Sequence, residues 1–82
     1  WRTDIPGAPV KDILSAISLN DRVQFINVLF DGDPGLFQQA RAQINAMETL
    51  DQAVEYVTST YNWDLGSQVV YRFMMAVRRK VK

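Results

Sequence analysis

The chain has 82 residues, 48% of them hydrophobic, with only four glycines and three prolines, which is the composition of one globular domain and not of a disordered segment. It contains no cysteine and no histidine, so disulfides, thiol nucleophiles, thiolate and imidazole metal ligands and the usual general base near neutral pH are all missing. Net charge is zero, yet residues 1–64 carry four basic and nine acidic side chains while residues 65–82 carry five basic and no acidic ones, so the C-terminal segment is the electropositive part of the chain.

Residues 1–9 read as an extended lead-in, because Pro6 and Pro9 disfavour helix in the residues before them. A single helical domain is expected over residues 10–82. A first short helix over Val10–Ile17, with Pro9 suited to its first turn, would put Val10, Ile13, Leu14 and Ile17 on one face. Ser18 is the expected N-cap of a second helix running to about Phe30, with Asp21 placed nearly as a capping box requires. Its apolar residues, Leu19, Val23, Phe25, Ile26, Leu29 and Phe30, cover an arc of about 160°, which points to a central position in the fold. Arg22 falls inside that arc, so its stem is expected along apolar surface or its guanidinium in a partly buried pair, with Asp64 as the candidate carboxylate.

Gly32 supplies a left-handed stop, Asp33 an N-cap and Pro34 a first helical residue. The third helix then presents Leu36, Phe37, Ala40, Ile44 and Met47. Thr49 caps the fourth, with Gln52 three residues on and a stripe of Leu50, Ala53, Val54, Val57 and Tyr61. A fifth begins near Ser67 and faces Val70, Phe73, Met74, Val77 and Val81 inward. No segment alternates with period two. The expected architecture is all-α, a compact bundle of about five short helices, with Leu19, Ile26, Leu29, Phe30, Ile44, Val54, Val57, Phe73 and Val77 in the core. Trp63, in the short link after Asn62, is expected to seal a gap between helices as a structural anchor.

The strings Ile17-Ser-Leu-Asn-Asp-Arg22, Phe25-Ile-Asn27, Leu29-Phe30, Gly32-Asp33 and Tyr61-Asn-Trp-Asp64 resemble an uncharacterised family of small helical bacterial domains, seen mainly in Bacteroidetes. Its members carry a run of the form ISLNDRFxFINxLFxGD, an acidic–aromatic helix, a later WD and a basic terminal helix. The likeness covers roughly residues 12–82, with Val23 where the family often has Phe. It implies a helical domain at the C-terminal end of a longer protein, and no activity or cofactor.

Residue chemistry points away from catalysis. Asp31 and Asp33 open like a calcium loop, but Gly35, Leu36 and Ala42 stand where further ligands and the obligatory glycine belong. Glu48, Asp51 and Glu55 sit on the polar side of their helix, as a solvated face does. There is no glycine-rich phosphate loop and no nucleophile elbow. No catalytic, cofactor or metal residues are therefore expected, and the chain reads as a non-enzyme. The candidate partner surface is the outward side of the terminal helix, where Tyr71 and Met75 are one turn apart and flanked by Arg72 and Arg79. Both should be more exposed than Val70, Phe73, Met74 and Val77. The expected function is a non-catalytic protein–protein interaction or regulatory module of a larger bacterial protein. The alternative is a nucleic-acid-binding accessory domain using the basic residues Arg72, Arg78, Arg79, Lys80 and Lys82. No apolar run approaches the ~18–20 residues of a membrane span, and the start at Trp1 reads as a piece of something longer. The compartment is left open, with the cytoplasm favoured.

Overall fold

In the computed structural model, which describes residues 1–81, each α-helix begins at a side chain that satisfies its own first N–H groups. Helix α1 (Leu19–Leu29) starts at Ser18, whose hydroxyl accepts from Asp21 N–H; α2 (Pro34–Asn45) starts at Asp33, which accepts from Gly35 N–H. Helix α3 (Leu50–Thr60) opens on a full capping box between Thr49 and Gln52, and α4 (Gln68–Lys80) on Ser67, which accepts from Val70 N–H. These caps supply partners for N–H groups that a helix cannot satisfy internally. Lys82 lies outside the described residues.

The chain is thus all-helical, with four α-helices and one short 3-10 turn and no strand among the described residues. The first expected helix is where it departs from the sequence reading. Instead of a helix over Val10–Ile17 there is a single 3-10 turn, Ile13–Ala16, bounded by extended backbone at Asp12 and Ile17. The cause is tertiary. Asp12 caps the turn through Leu14 N–H at 3.0 Å, is held by Arg41 at 2.5 Å and receives Asn45 Nδ2 at 3.0 Å. Asn45 Oδ1 in turn accepts from Ile13 N–H at 3.0 Å. These bonds to α2 tighten the segment into one turn that still buries Ile13 and Ile17.

Helix α4 is the central element. It touches the 3-10 turn, α1, α2 and α3, and buries Val70, Phe73, Met74, Ala76 and Val77. The central place expected for α1 was read from an arc that was too wide. That helix buries only Phe25 and Leu29 along its length, and a face centred on those two leaves Leu19 and Val23 on its flank, 74% and 59% exposed. Leu19 is therefore not a core residue, and Ile26 and Val54 are half-buried at its edge; Leu29, Phe30, Ile44, Val57, Phe73 and Val77 are buried as expected. The core also takes in Phe37, Ala40 and Ala53. Between α1 and α2 the chain turns through two left-handed residues, Asp31 at φ 55° and Gly32 at φ 75°, where the expectation placed only the glycine.

Phe30, at the C-cap of α1, lies where these elements meet. Its ring makes edge-on contacts with Phe37, Tyr61, Trp63 and Phe73 at centroid separations of 5.4–6.0 Å. Phe30→Ala should destabilise the domain by roughly 3–5 kcal/mol, on the order of the whole stability of a domain this small, and chemical denaturation would measure it. A midpoint near that of the parent would show the ring to be dispensable. At Asp12, hydrogen bonds from Arg41, Asn45 and Leu14 hold the carboxyl well below the usual carboxylate range. A lowered folded-state pKa stabilises above the unfolded value of about 4 and loses that contribution as pH falls through the folded value. Asp12→Asn should therefore melt lower than the parent at pH 7, with the gap closing below about pH 4; a gap constant from pH 7 to pH 2 would refute the charge-based account.

Candidate functional site

The outward side of α4 is set by the same stripe that buries its inward side. Phe73, Val70 and Val77 fix the buried direction, and Tyr71, Met75, Arg78 and Arg79 then fall opposite, at 100° per residue. Tyr71 and Met75 are half-buried, while Val70, Phe73, Met74 and Val77 are buried, so the expected order of exposure holds. The surface is not open, however, because the chain's own lead-in lies across it.

Residues 1–10 form no helix or strand, yet they are tied to α4 at several points. The Tyr71 hydroxyl donates to the Asp4 carboxylate. Arg78 Nη1 donates to the carbonyls of Trp1, at 2.7 Å, and Asp4. Arg79 Nε donates to the Ala8 carbonyl at 2.8 Å, and Val10 N–H donates back to the Arg79 carbonyl at 2.8 Å. That last bond satisfies a carbonyl of the final helical turn, which has no partner within the helix. The approach at residue 7 is close enough that a Cβ on Gly7 would lie 3.0 Å from Arg79 Nε. Trp1 packs against the edge of the core, with the Arg2 guanidinium 4.5 Å from its ring centroid. The lead-in that reads as a linker is thus a docked strap. The bond to Asp4 raises the pKa of Tyr71 above the ordinary tyrosine value, because ionisation would set two negative oxygens side by side.

Arg72 belongs to a different contact. Its Nη1 lies 3.4 Å from Asp21 Oδ1 and its Nη2 donates to Gln24 Oε1, so it joins α4 to α1. Asp21, placed for a capping box, spends its carboxylate here, while Ser18 alone caps α1. Of the four residues marked from the sequence, Tyr71 and Arg79 meet the strap, Arg72 meets α1, and Met75 is half-buried beside them. Sequence reasoning missed Arg78 as a strap ligand and Asp4 as the acceptor for Tyr71. Nothing local marks a bond across 67 residues.

Trp63, Asp64 and Asp33, also singled out from the sequence, make contacts within the fold. The Trp63 indole donates from Nε1 to the Leu29 carbonyl at 3.0 Å and stacks on Tyr61 with centroids 4.7 Å apart. It closes the end of α1 from the α3–α4 link. Asp64 does not pair with Arg22; it accepts from Gly66 N–H at 2.9 Å. Arg22 is half-buried, with Nε out of solvent and lacking a hydrogen-bond partner. Asp33 is committed to its helix cap, and Glu48, Asp51 and Glu55 are exposed. Among the described residues, no three acidic, histidine or cysteine side chains gather as a metal site would need.

The chain belongs to the family described as Domain of unknown function (DUF8457), which it matches over residues 14–81. No curated protein and no solved structure matches it. The matched span contains all four α-helices, and hence every α4 residue that holds the strap, whereas the strap itself lies before it.

Tyr71→Phe removes one strap contact and leaves the buried stripe intact. It should speed proteolytic cleavage near Gly7 and Ala8 while leaving the melting temperature within a few degrees of the parent. Cleavage at an unchanged rate would show that the Tyr71 hydroxyl does not hold the lead-in.

Proposed function

We propose that this domain is a non-catalytic protein-interaction or regulatory module of a larger bacterial protein, and that the outward face of α4 is the surface that takes a partner. The observation that carries this reading is the strap. The face made by Tyr71, Arg78 and Arg79 already holds a stretch of non-helical polypeptide, and three of its bonds go to main-chain carbonyls. A guanidinium is a fork of donors with no acceptor, so arginines in this arrangement suit a peptide backbone, whose carbonyls are present in any sequence. The chain also lacks a histidine or cysteine to serve as base or thiol nucleophile.

The nucleic-acid reading draws less support. It needs a surplus of cations to neutralise phosphates, and here Arg72 is paired with Asp21 and bonded to Gln24, while the chain as a whole carries no net charge.

The test uses the full chain with its strap loosened by Trp1→Ala and Asp4→Ala. A ten-residue peptide of the parent lead-in sequence, added to this labelled variant, should shift backbone NMR signals of Tyr71, Met75, Arg78 and Arg79 saturably. A labelled DNA duplex added in parallel should bind no better than the ~10⁻⁴–10⁻⁶ M of non-specific contact. Absence of peptide shifts would sink the interaction reading, and tight duplex binding that falls steeply with salt would put nucleic acid in its place.

A further inference from the structure

The lead-in does not fill the place it occupies. Between Trp1–Thr3 and the start of α4 lies an open depression of about 350 Å³, walled by Leu65, Ser67, Gln68 and Tyr71. Ile5, in the middle of the strap, is 91% exposed, so its apolar side chain contributes nothing to the contact. Two of the strap's side chains have defined contacts with the domain body. Trp1 packs at the core edge, and Asp4, three positions on, accepts from Tyr71. The remaining bonds are to carbonyls at Trp1, Asp4 and Ala8. The site therefore asks for an aromatic residue, a carboxylate three positions later and a non-helical backbone that bends between them. Its own charge agrees, since the last turn of α4 carries Arg78, Arg79 and Lys80 and suits an acidic segment.

We infer that this face of α4 is a receptor for a non-helical segment of another protein chain, bearing a large aromatic residue and a carboxylate three positions on, and that residues 1–10 are its resident competitor. This rests on the interaction-module reading above and adds to it the chemistry of the partner and the means of control. A segment tethered to the same chain acts at an effective concentration in the millimolar range, so a free segment enters only when the strap is loosened or when it fills the depression better than Trp1–Thr3 do. The strap then sets the threshold at which a partner binds.

The experiment compares the parent chain with the Trp1→Ala, Asp4→Ala double variant, both over residues 1–82, titrated with the ten-residue lead-in peptide and followed at Tyr71 and Arg78. The parent should bind the peptide at least about tenfold more weakly than the loosened variant. Against the loosened variant, peptides carrying Asp4→Asn or Trp1→Ala should each lose roughly tenfold, the scale of one lost buried or charge-assisted contact. Equal binding by parent and variant would overturn the competitor role, and undiminished binding of the substituted peptides would overturn the partner chemistry; both results leave the interaction reading standing. No peptide binding to the loosened variant removes that reading and this inference together. A parent chain that dimerises with rising concentration, while the loosened variant does not, would assign the segment to a second copy and overturn the partner named here.

Discussion

The ring of Phe30 is the point at which α1, α2, α4 and the α3–α4 link meet, and the packing of the domain follows from having one large aromatic there. Helix α1 ends at this residue, so the side chain leaves the helical wheel and reaches between its neighbours instead of along a face. Four aromatic rings approach it edge-on, the orientation in which the positive rim of one ring meets the negative face of another. Burying such a side chain contributes about 1.5–3 kcal/mol before any ring–ring preference is counted. In a domain of 82 residues, where total stability is on the order of 5 kcal/mol, that is a large share in one side chain. The left-handed pair Asp31–Gly32 and the cap at Asp33 follow directly, because α2 must start at once for Phe37 to reach the same point.

Helix α4 receives what Phe30 organises. Its inward side meets Phe30 through Phe73, and Phe73 also lies 5.3 Å from the rings of Phe25 and Trp63. Its outward side would stand in water but for the lead-in, and the contacts there differ in kind. Inside, the contacts are apolar and closely packed; outside, they are hydrogen bonds between arginine or tyrosine and a segment with a fully exposed isoleucine. The two sides of one helix thus carry a permanent interface and a polar one that solvent can compete for.

Much of this was legible in the sequence. Ser18, Asp33, Thr49 and Ser67 announce their helices because a cap is a local bond within three residues, and the inward stripe of α4 is legible because five apolar residues share one direction. The failures have a common cause. Whether Leu19 is buried depends on where α1 lies in the bundle, and the wheel supplies only an arc. Whether Val10–Ile17 is helical depends on Asn45 and Arg41, some thirty residues away. The outward residues of α4 were found as a surface, but the lead-in that lies on them was not, because arginine-to-carbonyl bonds leave no pattern in the side chains they touch.

The indole bond from Trp63 to the Leu29 carbonyl has a mechanical consequence. It fixes the link that leads into α4 to the last turn of α1, and Arg72 fixes the body of α4 to the first turns of the same helix through Asp21 and Gln24. Two contacts toward opposite ends of α1 oppose the sliding of α4 against it, since a slip of even one helical turn, 5.4 Å, would break both. The helix is therefore a stiff rail. A segment that displaces the lead-in from its outer side meets donors already in position, so the domain's own cost is that of releasing residues 1–10 and not of ordering the helix.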